Sequence, residues 1–131
     1  MKRLFIVLFL CVFFSPGAEA GKVTLYSKPL GELDITLPAG EAVCEYTCTT
    51  SVYAYGSARA GMTLHLRLIA GEESISLWSK TFTTTGNYGG NGQCPSFVVP
   101  GGGTEWILAW SLENSRGRVI TALELATGTC Q

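Results

Sequence analysis

Apolar residues recur at every second position along much of this chain, and that period limits what it can fold into. Met62, Leu64, Leu66 and Leu68 form one such run, and Trp106, Leu108, Trp110 and Leu112 another; Val119, Thr121, Leu123 and Leu125 follow. Side chains two residues apart share a face only when the backbone is extended, so each run reads as a half-buried strand. No segment sustains the 3.6-residue apolar period of a helix. The alternation predicts strands near 22–28, 33–37, 42–55, 62–69, 74–84, 96–99, 105–112 and 118–127.

Two hairpins follow from the turns between these runs. Ala70-Gly71-Glu72-Glu73 would set Leu68 opposite Ile75 and Leu66 opposite Leu77, and Asn114-Ser115-Arg116-Gly117 closes the second hairpin. Many short strands joined in this way favour an all-β fold. The expected form is an antiparallel two-sheet β-sandwich, Ig-like in general architecture and stapled by two disulfides.

The start of the chain points to export. Lys2 and Arg3 precede the apolar run Leu4 to Phe14; Ser15-Pro16-Gly17 breaks it, and Ala18-Glu19-Ala20 has the small-x-small form that a signal peptidase accepts. A span that crosses a bilayer needs about 20 apolar residues, so this one is too short. Residues 1–20 are therefore expected to be a cleaved signal peptide and residues 21–131 a single domain in the periplasm or outside the cell. Cys11 sits inside the apolar run, between Leu10 and Val12, and is a passive part of it. Taking 20 from 131 residues leaves 111, enough for one modest core that disulfides would help.

The other four cysteines, Cys44, Cys48, Cys94 and Cys130, enter an oxidising space as an even set. In an extended strand Cys44 and Cys48 lie roughly 13 Å apart. A disulfide needs Cα atoms within about 7 Å, so each should reach Cys94 or Cys130 separately, in either order. The rival is a tight turn that closes Cys44 on Cys48 and leaves Cys94 to Cys130. A metal site is not expected, because the close cysteine pair has no second pair to complete a ligand set.

Charge excludes some partners. Seven bases and nine acids after residue 20 give a net charge of −2, and no run of the sequence gathers either sign. Nucleic acids and anionic membranes require a concentrated basic face. No N-glycosylation sequon occurs at Asn87, Asn91 or Asn114.

Catalysis is not expected, and no cofactor is implied. His65 is the only histidine, on the same strand face as Thr63 and Arg67, and the simple register sets it across from Trp78. No Gly-x-Ser-x-Gly elbow occurs, and Asp34 and Glu41 lie in different segments. Gly86 to Gly92 and Gly101 to Gly103 lack the Gly-Lys-Ser/Thr of a phosphate cradle and read as two mobile loops at one end of the sandwich. Such loops carry recognition. Tyr53, Tyr55 and Tyr88 are expected to be exposed, and with Asn87 and Asn91 they form the candidate binding set. The leading expectation is an exported, non-enzymatic binding module, an inhibitor or neutraliser whose partner is another protein. A glycan ligand is a lesser alternative. A different class, a fibre or adhesin subunit, would insert its first strand, Gly21 to Lys28, into the next subunit.

Overall fold

The computed structural model describes residues 23–37, 40 and 42–131, so the expected signal peptide and cleavage site lie outside the described residues. The fold is all-β and antiparallel. Its strands are β1 (Thr24–Ser27), β2 (Leu33–Thr36), β3 (Val43–Cys48), β4 (Val52–Ala58), β5 (Thr63–Ala70), β6 (Glu73–Thr81), β7 (Gly86–Gln93), β8 (Ser96–Pro100), β9 (Thr104–Glu113) and β10 (Val119–Cys130).

They pair in the orders β1-β4-β7, β2-β3-β8 and β10-β9-β5-β6. The two three-stranded ladders run end to end. Val52 pairs with Gln93 just beyond the point where Thr47 pairs with Ser96, and β1 and β2 flank β4 and β3 in the same way. In effect three long strands break at one level. Taking each broken strand as one gives the orders 1-2-5 and 7-6-3-4, a Greek-key sandwich of the expected Ig-like kind.

Residues 42–55 form two strands where the alternation suggests one. The neighbouring strand carries Pro95, which has no amide hydrogen for the ladder, and the pairing lapses there with one bond left, from Cys48 N–H to Pro95 O (3.1 Å). Cys48–Cys94 closes across this break with Cα atoms 5.5 Å apart. Cys44–Cys130 joins β3 to β10, from one layer to the other, at 5.9 Å. Both bridges are long-range, as the extended spacing requires, and their order is now assigned.

The core lies between the layers. Leu64, Leu66 and Leu68 of β5 and Trp106, Leu108, Trp110 and Leu112 of β9 face Tyr46, Val52, Ala54, Phe97 and Val99. Trp106 packs against Tyr46 and Phe97, with centroids 4.8 and 5.2 Å away, and its Nε1–H donates to the Tyr46 hydroxyl (3.1 Å). That bond satisfies two polar atoms which would be costly to bury alone.

The glycine-rich stretch from Gly86 is a strand, not a mobile loop, and it does not share an end of the sandwich with Gly101 to Gly103. Tyr53 pairs with Gly92, and a methyl group added at Gly92 would collide with the Tyr53 ring. The bare glycine leaves space for that ring, and the ring covers backbone that glycine cannot.

Candidate functional site

Strands β1 (TLYS), β4 (VYAYGSA) and β7 (GNYGGNGQ) contain no charged residue. Their inward positions, Val52, Ala54 and Ala58, are buried. Alternation then turns Tyr53 and Tyr55 outward, where they are 47% and 48% exposed. Tyr26 on β1 pairs with Tyr55, is 52% exposed, and stacks on it with centroids 5.5 Å apart. Three exposed tyrosines thus share the solvent face of one small sheet. Asn87 pairs with Ser57 at the margin of this face and is exposed.

Two members of the expected set are placed differently. Tyr88 is half-buried: its hydroxyl donates to Thr24 O (2.9 Å) and its ring packs on Phe82 at 4.8 Å. Burial raises the Tyr88 phenol above its ordinary pKa. It pairs with Gly56, so it points to the core side, opposite to Tyr53 and Tyr55. The backbone of Asn91 pairs with Ala54; its side chain lies outside the described residues. Tyr26 takes the place expected of Tyr88. Val23 and Leu25 point inward from the first strand, so the alternation alone turns Tyr26 outward; its partnership with Tyr55 depends on which strand lies beside β1.

The surroundings of His65 also differ from the simple register. A β-bulge between Leu66 and Arg67 shifts β6 by one residue, so Leu66 meets Trp78 and His65 meets Ser79. Leu68 still faces Ile75. The shift turns Trp78 toward the core, where it meets Trp110 edge-on at 6.0 Å. His65 therefore has polar neighbours in place of an aromatic one. Its Nδ1 lies 2.9 Å from Ser76 Oγ, and its Nε2 lies 3.6 Å from Glu113 Oε1. Glu113 accepts from Arg67 at both oxygens (2.6 and 3.1 Å) and from the Ser111 hydroxyl (3.0 Å).

This Ser76–His65–Glu113 series resembles a hydrolytic triad only in residue types. A triad acid must hold the imidazole by a hydrogen bond, whereas Glu113 is bound to Arg67 and stands beyond hydrogen-bond length from His65. The cluster is better read as a clamp across β5, β6 and β9. Burial lowers the His65 pKa, against the pull of Glu113 and with the push of Arg67, so the ring is neutral at neutral pH.

Among the described residues no group of three or more His, Cys, Asp or Glu side chains is arranged to hold a metal ion, and no helix is long and apolar enough to cross a membrane. Compared with models of known protein families, with curated proteins and with solved structures, the chain has no significant match to any of them.

Proposed function

We propose that this chain is an exported, non-enzymatic binding module that holds another protein against the uncharged face carrying Tyr26, Tyr53 and Tyr55. The observation that carries the reading is the stacked, half-exposed Tyr26–Tyr55 pair beside Tyr53 on strands without charge. Tyrosine brings large contact area at low entropy cost, and Tyr with Ser, Gly and Asn is the composition of protein-recognition surfaces. The frame beneath is braced by two long-range disulfides, which suit an oxidising compartment and hold the rings in place before binding. The fibre-subunit alternative would require β1 to leave its ladder with β4 of its own chain and insert into the next subunit.

Alanine variants at the three positions test the reading. In a pull-down from the native compartment, Tyr26→Ala and Tyr55→Ala should each weaken capture of one partner by about 2 kcal/mol. Melting temperatures should hold, because exposed side chains contribute little to stability. Tyr88→Ala should instead lower the melting temperature. Unchanged capture by the triple alanine variant would refute the site. Retention of a neutral oligosaccharide on a glycan array, lost in the same variants, would replace the protein partner with a sugar.

A further inference from the structure

Strands β6 and β8 are edges of opposite layers, and an apolar cleft of about 430 Å³ lies between them. Val43, Ala70, Ile75, Val98 and Pro100 line it, with Glu73 at its side. Ile75 and Val98 are large apolar side chains that are 44% and 51% exposed, left without cover among the described residues.

Charge indicates what would cover them. The cleft opens at the end of the sandwich where the β5–β6 turn meets the start of β9, since Gly71 N–H donates to Glu105 O (2.9 Å). Exposed Glu72, Glu73 and Glu105 lie at that end, and Glu45 pairs with Val98 beside the cleft. Among the described residues no base shares that end. The length of β5, about 25 Å, separates it from the opposite end, where Thr63 pairs with both Thr81 and Glu113. There lie Arg59, Lys80, Arg116 and Arg118, and the acid at that end, Glu113, is buried and bound to Arg67. The fold thus brings Glu72, Glu73 and Glu105 to one end and Arg59, Lys80, Arg116 and Arg118 to the other, although they are dispersed in the sequence.

The β9–β10 turn carries two of the bases at the basic end. Ser115, Arg116, Gly117 and Arg118 are exposed, and Asn114 Oδ1 accepts from the amides of Arg116 and Arg118, both at 2.9 Å, so the turn is ordered before any contact. We propose that the cleft between β6 and β8 receives the β9–β10 turn of a second copy, with Arg116 and Arg118 set among Glu72, Glu73 and Glu105 and their stems against Ile75 and Val98. Arginine suits such a place, because its stem covers apolar surface while its guanidinium binds carboxylates. The contact joins two different surfaces of the same chain, so it is head-to-tail and extends into an open array unless its rotation closes a ring. It leaves the tyrosine face uncovered and goes beyond the binding role proposed above.

Sedimentation of the purified, oxidised chain tests this. At low salt the average mass should rise with concentration, and at 0.5 M salt it should return to that of a monomer, since exposed charge pairs are screened. Glu72→Lys with Glu73→Lys, or Arg116→Glu with Arg118→Glu, should each weaken association by roughly tenfold or more. An equal mixture of the two double variants should associate again, because each supplies the charge the other now needs; loss of folding would not be rescued in this way. Val98→Asp, checked for an unchanged melting temperature, should also weaken it. A chain that stays monomeric at low salt overturns the proposal. So does association that ignores both charge reversals but is lost with Tyr55→Ala, which would place the contact on the tyrosine face.

Discussion

Glu113 is almost fully buried on the outer side of a sheet, and its neighbours explain why it stays ionised. Burial alone would raise its pKa, but the Arg67 guanidinium, the Ser111 hydroxyl and His65 together hold it below the ordinary value of 4.5. Removing Arg67 would leave a buried charge without compensation. Arg67→Met should therefore cost about 3 kcal/mol in urea unfolding, and adding Glu113→Gln should recover part of the loss. The pH dependence has a definite sign. Both groups release protons more readily in the fold than in the unfolded chain. The His65 contribution is complete above its unfolded value of 6.5 and is lost as pH falls below it; that of Glu113 is lost only below about 4.5. Urea midpoints at pH 7.5 and 5.5 should drop less in His65→Gln than in the wild type. His65, Arg67 and Thr63 share a face in the sequence pattern, and Glu113 has the parity to join them from β9. The bulge that takes Trp78 away from His65 leaves no mark in an alternation count.

Among the elements, β1 depends most on a single residue. Gly56 has φ +152°, and a methyl group there would strike the Thr24 carbonyl of the paired strand. Gly56→Ala should cost about 2 kcal/mol and raise amide exchange in Thr24–Ser27 more than in β5 or β9, which hydrogen exchange would resolve residue by residue. Strands rich in alternating apolar residues are legible because each buries one face: β5, β6, β8, β9 and β10 lie where the pattern puts them, within one to three residues at most ends. β7 is not legible. Its glycines and asparagines signal a loop, and it becomes a strand because β4 offers a ladder of hydrogen bonds and two tyrosines to fill the space its glycines leave.

At the scale of the molecule, the two disulfides brace different parts. Cys44–Cys130 closes a separation of 86 residues and is buried; Cys48–Cys94 closes 46 and has an exposed end at Cys94. Loop-closure entropy makes each worth about 4 kcal/mol, with the longer loop ahead by about 0.5 kcal/mol. Attack by a thiol requires access, so mild reductant should open Cys48–Cys94 first. Timed alkylation and peptide mapping would show Cys48 and Cys94 labelled while Cys44 and Cys130 remain protected; the reverse order would contradict the placement. The same scale decides the charge pattern, because the acids at 72, 73 and 105 meet at one end only after β5, β6 and β9 have paired.

The alternation of apolar residues by itself determines the all-β class, the β5–β6 and β9–β10 hairpins, and the extended spacing that keeps Cys44 from bonding Cys48. These are local consequences of a two-residue period and of backbone reach, so they can be read without knowing any partner. Tertiary structure alone decides which cysteine meets which, that Tyr26 stacks on Tyr55 while Tyr88 turns inward, and that Glu113 joins His65 and Arg67. Each of these depends on which strands become neighbours and in what register, and a one-residue bulge is enough to exchange the partner of a side chain. Strand neighbours are chosen by the burial of the whole core, which no single segment of the sequence contains.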